Sequence, residues 1–106
     1  MKFSHIGITT HEKHPDEVYV AETKVWVTNA DEHRFRIEWL RYEEDSPVPD
    51  IIKETPHIGY EVESIDEVGS NFKCILGPFK VYEGKTVAFF ELPDGAVVEL
   101  MEIKNE

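Results

Sequence analysis

His57-Ile58-Gly59-Tyr60-Glu61-Val62-Glu63-Ser64-Ile65-Asp66-Glu67-Val68 reads as a strand that hands over to a helix. Successive strand side chains point to opposite faces, so Ile58, Tyr60 and Val62 share one face while His57, Gly59 and Glu61 share the other. Ser64 supplies a capping hydroxyl, and Glu67 three residues on completes a capping box. Ile65, Val68, Phe72 and Ile75 then recur at helical spacing, and Gly77-Pro78 is expected to stop the helix.

The opening triplet is not unique. His5-Ile6-Gly7 repeats His57-Ile58-Gly59, and each half of the chain ends on a strand with a central glutamate: Arg36-Ile37-Glu38-Trp39-Leu40 in the first, Val97-Val98-Glu99-Leu100-Met101 in the second. The histidines are 52 positions apart and the glutamates 61, so the second copy holds nine more residues between them. The larger offset also superimposes Val20, Glu22 and Lys24 on Val81, Glu83 and Lys85, which places the extra length where the helix sits. The first half has only a polar stretch there, Thr10 to Asp16 with Pro15, expected to form a loop or at most one turn. Two histidines and two glutamates in equivalent places suggest one metal site.

Eight short strands rich in β-branched or aromatic residues are expected at residues 3–9, 18–21, 24–28, 35–42, 57–63, 79–82, 86–92 and 96–103. Asn29-Ala30-Asp31-Glu32 and Pro93-Asp94-Gly95 read as hairpin connections, which makes the strands they join antiparallel. Alternation puts each of His5, Glu38, His57 and Glu99 on one face of its strand, with the bulky apolar residues opposite. The ligand face is therefore expected to line a cavity or meet solvent.

At 106 residues and 41% hydrophobic, the chain suits one domain. A chain of this size buries roughly 60–65% of its unfolded surface, enough without disulfides. Module 1 is expected over about residues 1–43, a proline-bearing linker over 43–56, and module 2 over 57–106. The single Cys74 is expected to be a small core residue on the helix. Twenty-two acidic against eleven basic residues give a net charge of −11, which repels phosphate backbones and anionic lipid surfaces. Nucleic acid and membrane are thus not expected partners. Met1 to His5 shows neither the apolar run nor the cleavage site of a signal peptide, and a cytoplasmic setting is expected. His11 and His14 are expected in solvent, since Pro15 and the surrounding charges oppose a fixed helix. His33 falls in a hairpin turn with no evident partner.

The His-Ile-Gly strand openings, the Pro93-Asp94-Gly95 hairpin ahead of Val97-Val98-Glu99-Leu100 and the paired layout resemble the vicinal-oxygen-chelate superfamily. It includes glyoxalases, methylmalonyl-CoA epimerases, extradiol dioxygenases and bleomycin-resistance proteins. The resemblance implies an α+β fold of tandem βαβββ modules, here with the first-module helix shortened or absent. It also implies a homodimer, and one divalent metal held by the first and last strands of each module: His5, Glu38, His57 and Glu99. The 19-residue step from Glu38 to His57 is similar to that of bacterial glyoxalase I.

A mixed imidazole and carboxylate set suits Zn, Ni, Co, Mn or Fe(II) better than Ca. Four such ligands on an octahedral ion leave two positions for a small substrate with neighbouring oxygens. The implied activity is that of a lyase or isomerase of the glyoxalase or epimerase type. The ion would polarise a carbonyl while Glu99 or Glu38 moves an α-proton through an enediolate or enolate. Arg36, on the face of Glu38, is a candidate partner for a substrate carboxylate or phosphate, or else a surface ion-pair residue. Two other functions compete: a non-catalytic small-molecule binder of the bleomycin-resistance type, and an extradiol-type dioxygenase, which needs only two histidines and one carboxylate.

Overall fold

The computed structural model describes residues 1–104. Its elements run β1 (Lys2–Thr9), β2 (Val18–Val20), β3 (Val25–Val27), a 3-10 turn (Ala30–Glu32), β4 (Ile37–Tyr42), α1 (Asp50–Glu54), β5 (His57–Glu61), α2 (Ile65–Gly69), β6 (Lys73–Tyr82), β7 (Lys85–Glu91) and β8 (Val97–Ile103). All eight expected strands are present. Two compact units emerge, one of His5–Pro56 and one of Met1–Ser4 with the chain from His57 onward. Each carries a βαβββ-type strand path, the first without its helix.

In the His5–Pro56 unit the strand order is β2-β3-β4-β1. Both β2/β3 and β3/β4 are antiparallel, while β1 and β4 run parallel with Gly7 opposite Glu38. As expected, residues 10–17 contain no helix. Asn29 caps the 3-10 turn, its side chain accepting from the Asp31 backbone N–H at 2.9 Å. Within the stretch from Glu43 to Pro56, Ser46 is buried and donates its hydroxyl to the Thr23 carbonyl at 2.6 Å, and α1 buries Ile52.

In the other unit the order is β5-β8-β7-β6, with β5 and β8 parallel and the remaining pairs antiparallel. Ala88, Phe90 and Leu100 on the sheet meet Val62 and Ile65 in a buried cluster, flanked by Tyr60, Val68 and Val98. Burying a large side chain in such a cluster stabilises by roughly 1.5–3 kcal/mol. The Pro93-Asp94-Gly95 hairpin forms as expected: Gly95 has φ 91° and the Asp94 carboxylate accepts from the Ala96 N–H at 3.1 Å.

The second helix is shorter than its periodicity suggests. Ser64 does cap α2, accepting from the Glu67 N–H at 3.1 Å, but the next free donor, Ile65 N–H, goes to the Glu102 carboxylate at 2.6 Å. The helix ends at Gly69, where a Cβ would lie 2.4 Å from the Phe90 ring. Residues Lys73 to Ile75 instead join β6, so Gly77-Pro78 interrupts a strand and does not stop a helix. Its register shifts between Leu76 and Phe79, and Gly77 takes φ 91°. Cys74 is accordingly exposed on a strand and not part of the core.

Candidate metal-ligand pairs

Each unit builds a histidine–glutamate pair in the same way. In the parallel β1/β4 ladder Gly7 faces Glu38, and in the parallel β5/β8 ladder Gly59 faces Glu99. The histidine lies two residues before the glycine, on the same face of the strand. A glycine opposite the glutamate puts no side chain beside it, so the carboxylate can lean back along the neighbouring strand to the imidazole. His5 Nε2 and Glu38 Oε1 are 3.6 Å apart, with side-chain exposures of 8% and 24%; His57 Nε2 and Glu99 Oε1 are 3.2 Å apart, with 2% and 11%.

The 3.2 Å separation of His57 and Glu99 fits two cis ligands of one ion, and the 3.6 Å separation of His5 and Glu38 lies just beyond that range. With bonds of about 2.0–2.2 Å and tetrahedral or octahedral angles, adjacent N and O ligands stand roughly 3–3.5 Å apart. The donor set, a neutral imidazole with a carboxylate, matches borderline divalent transition metals.

The surroundings of the second pair correct the expectation for the ligand face. Bulky residues crowd this face as well as the helix-covered one: Val87, Phe89, Val97 and Met101 are all buried on the side of His57 and Glu99. Phe89 stands opposite Glu99 in the β7/β8 ladder and meets the His57 ring edge to face, with centroids 5.1 Å apart. The sequence signal for it was the Phe89-Phe90 doublet, of which alternation sends one ring to each face.

Arg36 precedes β4 with φ 61° and forms a 2.8 Å ion pair with Asp31. His11 is exposed, as expected, whereas His14 is half-buried and stacks on Trp39 with ring centroids 5.1 Å apart and planes 14° from parallel. His33 also has partners: its Nδ1 accepts from the Phe35 N–H at 3.0 Å, and its ring packs on Phe35. On the face of β4 opposite Glu38, Arg41 grips Glu17 through two hydrogen bonds of 2.9 and 2.8 Å and lies over the Trp26 ring. That grip holds the Glu17 carboxyl below the ordinary glutamate range and raises Arg41. Among the described residues no helix is long and apolar enough to cross a membrane.

No known family profile matches the chain, and no curated protein matches it. Solved structures do. A hypothetical protein of Bacillus halodurans aligns at 23% identity over 99% of this chain and 96% of its own, with a TM-score of 0.68. A Streptomyces coelicolor methylmalonyl-CoA epimerase variant in complex with 2-nitronate-propionyl-CoA aligns at 17% identity over 98% of both chains, with a TM-score of 0.60. A methylmalonyl-CoA epimerase in complex with methylmalonyl-CoA and ammonium aligns at 17% identity over 96% of this chain and 94% of its own, with a TM-score of 0.59. At such identities the likeness is one of fold. The chain has a glyoxalase-like fold of βαβββ modules.

Proposed function

We propose that the chain is a metal-dependent isomerase or lyase of the epimerase or glyoxalase kind, acting on a small carbonyl compound with neighbouring oxygens. The observation that carries this reading is the duplicated pair: His5 with Glu38 and His57 with Glu99, each set by a glycine opposite its glutamate. A structural histidine has no need of such a repeat, whereas a four-ligand site of the proposed kind does. His5, Glu38, His57 and Glu99 would hold one divalent ion among Zn, Ni, Co, Mn and Fe. Bound there, the ion supplies Lewis acidity toward a substrate carbonyl.

The chain's own groups supply the rest. Glu99 or Glu38 removes a proton from the carbon next to the carbonyl and delivers it elsewhere on the substrate, serving in turn as base and acid, so that the net change is an isomerisation or epimerisation. Phe89, Val87, Val97 and Met101 keep water from the His57–Glu99 pair, which strengthens electrostatic interactions there. Arg36 would pair with a substrate carboxylate or phosphate, in competition with Asp31. Two copies of the chain are expected to associate.

The test is proton exchange in D2O. Protein loaded in turn with each of the five metals is incubated with methylmalonyl-CoA and with 2-oxoaldehyde–thiol adducts, and α-deuteration is followed by NMR. Exchange with at least one pair, lost in Glu38→Gln or Glu99→Gln, supports the reading. Tight binding of such compounds to metal-free protein without exchange would instead favour a small-molecule binder.

A further inference from the structure

The duplication shows what the absent helix leaves behind. In the second module Val98 and Leu100 lie under α2, and Leu100 belongs to the buried cluster with Ile65. Their counterparts at the 61-residue offset are Ile37 and Trp39. With no helix over residues 10–17, these two line a cavity of about 180 Å³. Its remaining wall includes His14, Asp16, Glu32 and His33. The cavity belongs wholly to the His5–Pro56 unit and opens on the face of β4 opposite Glu38.

Three features define what would fit. The size is that of one ring or a short chain, since cavities of about 150 Å³ hold benzene. The wall is aromatic where His14 stacks on Trp39, and Trp39 is held in place because its backbone N–H donates to Thr28 Oγ1 at 2.9 Å. The charge is negative: Asp16 and Glu32 line the cavity, and no lysine or arginine is among its lining residues.

We infer that this cavity is a binding site for a small organic cation, a protonated amine on an apolar body of about one ring. The carboxylates would take the ammonium group and Trp39 the apolar part, with cation–π attraction adding to both. The net charge of −11 raises the local concentration of such ligands. A side chain like Leu100 needs a helix above it; an indole stacked by a loop histidine makes a wall without one.

The experiment uses metal-free protein at pH 8, so that its result is independent of the metal site. Three probes of one shape are titrated against ¹⁵N-labelled protein: 2-phenylethylamine, 2-phenylethanol and phenylacetate. The amine is expected to move the Trp39 indole N–H resonance and saturate at millimolar concentration or below, with at least tenfold weaker binding of the alcohol and none of the acid. The exposed double variant Asp16→Asn/Glu32→Gln is expected to fold normally and to lose at least tenfold in amine affinity. Failure of the amine to move Trp39 overturns the assignment, as does equal binding of amine and alcohol, or undiminished amine binding by the double variant.

Discussion

Gly59 stands directly opposite Glu99 in the parallel ladder of β5 and β8, and the space it leaves lets the carboxylate approach His57 to 3.2 Å. The triplet His-Ile-Gly is thus a positional device. Its histidine supplies an imidazole, its central isoleucine points to the other face, and its glycine makes room for a glutamate on a different strand. Gly7 does the same for Glu38.

Gly59→Val is therefore expected to disturb the pair without removing either member. Over-packing of this kind costs about 1–3 kcal/mol, and the displaced carboxylate should lower divalent metal affinity at least tenfold. Thermal unfolding with metal titration checks both. Unchanged affinity in a folded Gly59→Val protein would show that Glu99 does not depend on this space.

Gly69→Ala reverses the usual helix rule. Replacing a helical glycine by alanine ordinarily gains roughly 0.5–1 kcal/mol. Here the added Cβ would lie 2.4 Å from the Phe90 ring, inside the buried cluster that includes Ile65 and Leu100. The expected outcome is destabilisation by about 1–3 kcal/mol, partly relieved in the double variant Gly69→Ala/Phe90→Leu. Denaturant unfolding of the four proteins in that cycle measures it.

The Glu17–Arg41 pair gives a pH signature. Arg41 holds the native Glu17 carboxyl below its ordinary value of 4.5, so the unfolded chain takes up the proton first as pH falls. The pair's stabilisation is complete above that value and is lost as pH drops through the lowered native one. Glu17→Gln should lower Tm at pH 7, and the gap to wild type should narrow below pH 4.5. A gap independent of pH would assign the effect to packing alone.

The strands were legible because alternation and turn residues act locally. Asp94-Gly95 and Asn29 make their turns with their own backbone neighbours, so their reading needs no partner. The end of α2 was not legible for the opposite reason. Ile65, Val68, Phe72 and Ile75 keep helical spacing, yet Phe90 on β7 closes over Gly69, and Cys74, on β6, pairs with Phe90. Glu102, which caps Ile65 from 37 residues away, carries no local signal. The histidines and glutamates could be picked from the repeat, but not the glycine register that pairs them, which depends on β5 and β8 lying parallel. His14 was expected in solvent because Trp39, its ring partner, lies on a different segment, and His33 showed no evident partner because its contact with Phe35, two residues on, leaves no periodic signal.

Metal content decides whether the four residues hold one ion: untagged protein, loaded and desalted, measured by elemental mass spectrometry beside His5→Ala, Glu38→Gln, His57→Ala and Glu99→Gln. Close to one divalent ion per chain is expected, reduced by every one of the four substitutions. Protein that cannot be loaded would contradict it, as would two ions per chain of which His5→Ala and His57→Ala each remove a different one.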